Sequence, residues 1–144
     1  EKLFQCPYGD TKSYVLDGLF ELLRDCGKHM GAAWPSLLAL LQSVPLESEG
    51  PQIKQAQACL HSICCSLLDD LPVDCLPLFL SALGALAQQD IELEVSFDAM
   101  MMLVEATDFL RRRRTALDDA ITKLKDERGH SLTPARSSSK SKGK

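Results

Sequence analysis

Aromatic residues are scarce in this 144-residue chain: five Phe, two Tyr and one Trp, 6% of the total. No uninterrupted apolar run approaches the roughly 20 residues that a membrane-crossing helix needs. There is no glycine-rich phosphate loop. No Ser or Cys nucleophile stands in a recognisable motif with a base. The three histidines are dispersed at His29, His61 and His130. These absences remove the usual signatures of phosphoryl transfer, covalent hydrolysis and membrane spanning, so catalytic, cofactor-binding and metal-ligating residues are each expected to be none. What remains is rich in leucine and alanine, 45% hydrophobic and 25% charged, which fits an all-helical globular chain.

Six cysteines (Cys6, Cys26, Cys59, Cys64, Cys65, Cys75) invite a disulfide framework. No secretory leader is evident, so an oxidising compartment is not implied. Cys26, Cys59 and Cys64 fall in helical apolar patterns, where a free thiol behaves as a small hydrophobe. The chain begins with Glu1 rather than methionine and is read as a fragment or an incomplete gene model.

The strongest periodicity runs from Gln52 to Leu110. Ile53, Ala56, Leu60, Ile63 and Leu67 share one helical face. Gly50–Pro51 and Pro72 punctuate that helix. Val73, Leu76, Leu80, Leu83 and Leu86 predict a second, starting between Pro72 and Pro77 or bent at Pro77, since proline suits only a first turn. Val95, Ala99, Met102, Leu103, Ala106 and Leu110 predict a third, with Ser96 or Asp98 as its cap. Met100, Met101 and Val104 widen its apolar face, so it is expected to be covered from two sides.

Upstream, residues 1–10 are a lead-in. A helix is predicted from Thr11 to Met30 with Val15, Leu16, Leu19, Leu22, Leu23 and Cys26 inward. Gly27 and Gly31 end it. A second is predicted from Trp34 to Val44 with Trp34, Leu37, Leu38, Leu41 and Val44 inward. Pro45 to Pro51 is predicted to be a loop. The short connection makes these two helices antiparallel neighbours. Val15, Ile53 and Val95 then recur at intervals of 53 − 15 = 38 and 95 − 53 = 42. A period of about 40 residues made of two helices is the mark of HEAT and armadillo arrays. The expected fold is therefore all-α: a superhelical stack of about three antiparallel hairpins over residues 11–128.

After Leu110 the pattern changes. Arg111 to Arg114 form a basic run. Leu117, Ile121 and Leu124 predict a separate short amphipathic helix. Residues 129–144 are rich in Ser, Lys and Gly and are expected to be a disordered basic tail. The tail holds Arg136, Lys140, Lys142 and Lys144; removing that +4 from the net −4 leaves −8 on the rest.

Four features invite chemistry. His61 with Cys64 and Cys65 is the one metal-like group, but a structural zinc wants four ligands in paired spacings, so packing is preferred. Asp69–Asp70 reads as solvated surface and His29 as a helix-end complement. The run Met100 to Met102 has the adaptability of a binding surface, but core between repeats is preferred. The arginines and tail read as a solvated helix end followed by a flexible tail; a weak contact with an anionic membrane is the functional alternative, and nucleic acid is disfavoured because no aromatics interleave them for base stacking.

Several stretches resemble a known family. They are Ala56-Gln57-Ala58-Cys59-Leu60-His61-Ser62-Ile63 with Leu68-Asp69-Asp70-Leu71-Pro72, and Glu92-Leu93-Glu94-Val95-Ser96-Phe97-Asp98-Ala99 with Thr107-Asp108-Phe109-Leu110. Cys26-Gly27 and Gly31-Ala32-Ala33-Trp34-Pro35 precede them in the same order. Over about residues 12–110 the chain resembles the HEAT-repeat, downstream-of-Sec-seven region of the Mon-two (monensin-sensitivity) proteins. These are relatives of the large brefeldin-A-inhibited ARF guanine nucleotide exchange factors. Residues 111–128 keep little of that family's further helical pair, and the glutamate-bearing exchange loop of the catalytic relatives has no counterpart here. The resemblance implies a non-catalytic trafficking scaffold, cytoplasmic and peripheral on Golgi, trans-Golgi network or endosome membranes. Its implied partners are Dopey-type proteins and ARF-like small GTPases, with no nucleic acid. The alternatives are a regulatory segment of a large ARF exchange factor and an unrelated helical nucleic-acid-binding domain.

Overall fold

A computed structural model describes residues 9–130, except for the side chains of residues 47, 116–117, 120–121 and 123–130. The lead-in before Gly9 and the tail after His130 lie outside the described residues. Five α-helices follow one another: α1 (Gly9–Cys26), α2 (Trp34–Glu47), α3 (Gly50–Ser62), α4 (Leu76–Gln88) and α5 (Leu93–His130). No strand occurs among the described residues. Contacts divide the chain into two compact units, Glu1–Asp108 and Phe109–Lys144.

The first unit is an all-α helical-repeat fold in two layers. α1 packs on α3 and α2 packs on α4. Side-chain bonds between α3 and α5 extend the first row to a third helix. The unit thus contains two hairpins and the opening helix of a third. The core lies between the rows. Leu16 and Leu23 of α1 enter it, with Trp34, Leu38, Leu41 and Val44 of α2. From the next hairpin come Ile53, Ala56, Leu60 and Ile63, then Phe79, Leu83 and Leu86. The inward stripes expected for α2 and α3 are all buried.

Local sequence explains how each helix begins and stops. α2, α3 and α4 each carry proline in the first turn, where its missing N–H has no intrahelical partner to lose. Gly31 takes φ +44° in the connection before α2, a left-handed conformation open to glycine at little cost. α3 widens at Ile63–Leu67 into a single π-helical stretch. Pro72 follows with φ −56° and ψ 140°, an extended conformation that stops the helix.

Several expectations are corrected. α1 turns inward only Leu16 and Leu23; Leu22 and Cys26 are exposed, and Val15 and Leu19 half-buried. A helix on the outer edge of a stack has one neighbour, so its buried stripe narrows to every second turn. α2 runs through Pro45 to Glu47 rather than ending at Val44. Only the carbonyl four residues back loses a partner there, and the helix is already in its last turn. Val73 is exposed in a 3₁₀ turn (Val73–Cys75) ahead of α4, and Phe79 takes the inward place expected of Leu80. No helix boundary falls at Leu110. α5 is continuous from Leu93 to His130 because neither glycine nor proline interrupts it before Gly129 and arginine is a good helix former.

Candidate interaction surface

The helices of one row are joined by polar side chains, and every bond spans nearly one repeat. Gln52 Nε2 donates to Ser13 Oγ at 3.2 Å and Gln55 Nε2 to Asp17 Oδ1 at 2.7 Å, joining α1 to α3 across 39 and 38 residues. Gln57 Nε2 donates to Asp98 Oδ2 at 2.7 Å, joining α3 to α5 across 41. In the other row Gln42 Nε2 donates to Ser81 Oγ at 2.8 Å across 39. Lys54 pairs with Glu92 at 3.3 Å. Glutamines that look like ordinary surface in the sequence therefore set the register of the stack.

The entry to α5 is organised by Gln89. Its Oε1 accepts from the backbone N–H groups of Ile91 (2.9 Å) and Glu92 (2.8 Å). Its Nε2 donates to Ser96 Oγ at 2.8 Å and to the Glu92 carbonyl at 2.6 Å. Ser96 is buried and donates its hydroxyl to the Gln89 carbonyl at 2.6 Å. Neither Ser96 nor Asp98 caps α5 in the expected sense: Ser96 lies one turn in and Asp98 faces Gln57. Sequence reasoning missed Gln89 because glutamine is not a usual cap, and only the four-residue span to α5 lets it reach.

The thiols divide by burial. Cys59 and Cys64 are buried; their Sγ atoms approach the carbonyls of Leu16 and Met102, each at 3.9 Å. Burial, with Asp17 nearby, pushes the Cys59 thiol up to about 12. Burial, with Glu105 and Cys65, pushes Cys64 up to about 11. Both are therefore neutral and unreactive near pH 7. Cys65 is exposed and its Sγ lies 3.6 Å from His61 Nε2. Cys64 points into the α3–α5 contact while Cys65 points to solvent, so His61, Cys64 and Cys65 do not converge. Among the described residues no group of three His, Cys, Asp or Glu side chains could hold a metal ion.

An open cavity of about 370 Å³ lies where α1 ends beside α3, lined by Arg24, Lys28, His29, Ser62 and Leu67 among others. Arg24 is held by Glu21 and Asp25, whose carboxylates raise its pKa through hydrogen bonds and charge. His29 and the acidic pair Asp69–Asp70 are exposed; the side chain of His130 is outside the described set.

An exposed apolar surface runs along α5. Leu93, Phe97 and Val104 are 84%, 60% and 57% exposed, and Met100 and Met101 about half. The spacing 93, 97, 100, 104 follows one face of the helix. The buried face, Val95, Ala99, Met102 and Ala106, lies opposite. Two expectations are corrected here. Among the described residues α5 is covered from one side rather than two, and of the three consecutive methionines only Met102 is core. In the second unit, the arginines sit within α5 and not at its end. Residues in succession turn by about 100° each, so four of them encircle the helix rather than form one basic face. Arg113 lies over the Phe109 ring at 5.9 Å, and Arg114 reaches Asp118 at 3.9 Å. Among the described residues no helix is long and apolar enough to cross a membrane.

Stacked hairpins, glutamine-bridged rows and an outward apolar ridge define an all-α helical-repeat fold. Comparison with known proteins narrows this class. The chain is 26% identical over 110 residues to the Protein MON2 homolog of Drosophila melanogaster, covering 76% of this chain and 6% of that protein. It is 21% identical over 126 residues to the Protein MON2 homolog of Xenopus laevis, 88% of this chain and 7% of that protein. Against the human Protein MON2 homolog the figures are 21% over 114 residues, 79% and 7%. The chain thus resembles one region of the MON2 proteins and spans only about 6–7% of their length. No protein-family model matches the chain. No solved structure matches it.

Proposed function

We propose that this chain is a non-catalytic, HEAT-type segment of a Golgi and endosome trafficking protein of the MON2 kind, and that it acts by presenting helical surfaces to other proteins. The observation that carries this is the likeness to MON2 homologues, which covers 76–88% of the chain in three animals. The structure supports it in kind: two hairpins and a further helix with a period near 40 residues are what a repeat scaffold requires. Dopey-type proteins and ARF-like small GTPases are the proposed partners, on the cytoplasmic side of Golgi, trans-Golgi network or endosome membranes.

Proximity labelling of the full-length native protein in cells of its source tests this. Enrichment of Dopey-type proteins and Golgi ARF-like GTPases is expected. Enrichment of nucleic-acid machinery without Golgi proteins would overturn it. A catalytic exchange domain in the same native polypeptide would instead make this a regulatory segment of an exchange factor.

A further inference from the structure

The exposed ridge of α5 carries information about what covers it. Leu93, Phe97, Met100, Met101 and Val104 form three turns of exposed apolar surface. Residues 131–144 offer no amphipathic stripe to fold back on it, since Leu132 and Ala135 are their only aliphatic side chains. The border of the ridge is acidic. With residues 100° apart, Glu94 and Glu105 both fall beside Met101, on one edge of the stripe, and both are exposed. From residue 55 to residue 110 the chain has nine Asp or Glu and no Lys or Arg. Within α5 itself, residues 93–110 hold Glu94, Asp98, Glu105 and Asp108 and no Lys or Arg, and Arg111–Arg114 follow.

We propose that this ridge seats one amphipathic helix of a partner protein, with an apolar face bordered along one edge by lysine or arginine. The apolar stripe supplies the area, and Met100 and Met101 adapt to side chains of differing shape. The acidic edge supplies orientation and selects against acidic helices. Glu94 and Glu105 are eleven residues apart, about 16 Å along the helix, so the partner's basic residues are spaced by about three turns. This rests on the reading of the chain as an interaction segment and names the partner class for it.

The test uses the purified chain and two 18-residue helical peptides with the same leucine face. One carries Lys along one border at an eleven-residue spacing; the other carries Glu there. Titration at low salt is expected to show the Lys peptide binding at least tenfold tighter, with the preference shrinking in 0.5 M salt. Glu94→Lys with Glu105→Lys is expected to reverse the preference, and Phe97→Asp to abolish binding of both peptides. All three positions are exposed, and an unchanged circular dichroism melt confirms the fold in each variant. Equal binding of the two peptides, or none, overturns the proposal. So does a concentration-dependent dimer that Phe97→Asp dissociates, because a second copy is then the occupant. Protection of a Phe97→Cys thiol in the isolated native polypeptide also overturns it, because a segment of the same protein then covers the ridge. Failure here leaves the proximity-labelling result untouched, so the two readings fail separately.

Discussion

Trp34 and the paired cysteines show what single residues contribute. Trp34 is 1% exposed, in the first turn of α2. Trp34→Ala is expected to lower stability by about 3–5 kcal/mol, read from chemical denaturation. A loss under about 0.5 kcal/mol would place Trp34 at the surface. Cys59 and Cys64 make a second prediction. Their folded pKa values, about 12 and about 11, lie above the ordinary 9.0. The neutral thiol is the form the fold holds, so their stabilising contribution is fully present below pH 9. Above it the unfolded chain ionises first, and stability falls with a slope of about 1.4 kcal/mol per pH unit for each thiol until the folded values are reached. Denaturation midpoints between pH 8 and 11 check this, and Cys59→Ala should flatten the fall. In native protein at pH 8, a thiol reagent followed by peptide mapping should find Cys26 and Cys65 modified and Cys59 and Cys64 protected. Modification of all four at one rate would contradict the burial.

At the scale of the helix, apolar spacing carried most of what could be read. The stripes of α2 and α3 are legible because each packs against more than one helix, α2 against α3 and α4 and α3 against α1, α2 and α4, and burial then follows period directly. α1 and α5 are less legible because they lie at the edges of the first unit. Period alone names an apolar face but not whether anything covers it, so Leu22, Met100 and Met101 carry inward spacing and yet are exposed. The end of α2 departs from its spacing for another reason: Pro45 ends a helix on propensity, yet it is buried and its turn continues. The junction at Gln89 was not legible, since its bonds exist only once α4 and α5 are held four residues apart. Gln89→Ala removes acceptors for two backbone N–H groups and a partner of Ser96. A cost of about 1–2 kcal/mol is expected, comparable to a lost helix cap. Gln89→Glu keeps the acceptor but not the donor and should recover part of it; no difference between the two variants would show that only the amide donor matters. Gly27 is buried against Leu67, and a Cβ there would lie 2.5 Å from Leu67 Cδ1. Gly27→Ala should therefore cost about 1 kcal/mol by overpacking, and Leu67→Ala in the same chain should offset it. Additive losses in the double variant would deny the contact.

For the whole molecule, the period near 40 residues is the organising fact, and it appears twice by independent routes. In the sequence it is the interval between Val15, Ile53 and Val95. In the structure it is the span of the side-chain bonds within a row, 38 to 43 residues between α1 and α3, α2 and α4, and α3 and α5. The residues that reveal the period are apolar; those that fix the register are glutamines on other faces. The candidate interaction surface was half legible. The apolar residues of α5 were identified, while their exposure and acidic border required the stack.

The central claim is that α1, α3 and α5 lie side by side as successive repeats. Short bis-maleimide cross-linking of two designed pairs tests it most directly. The pairs are Asp17→Cys with Gln55→Cys, and Gln57→Cys with Asp98→Cys, with linked peptides identified by mass spectrometry. The account predicts that both pairs link in the folded protein and that neither links in denaturant. Linkage of the first pair without the second would contradict it, since α5 would then not continue the row.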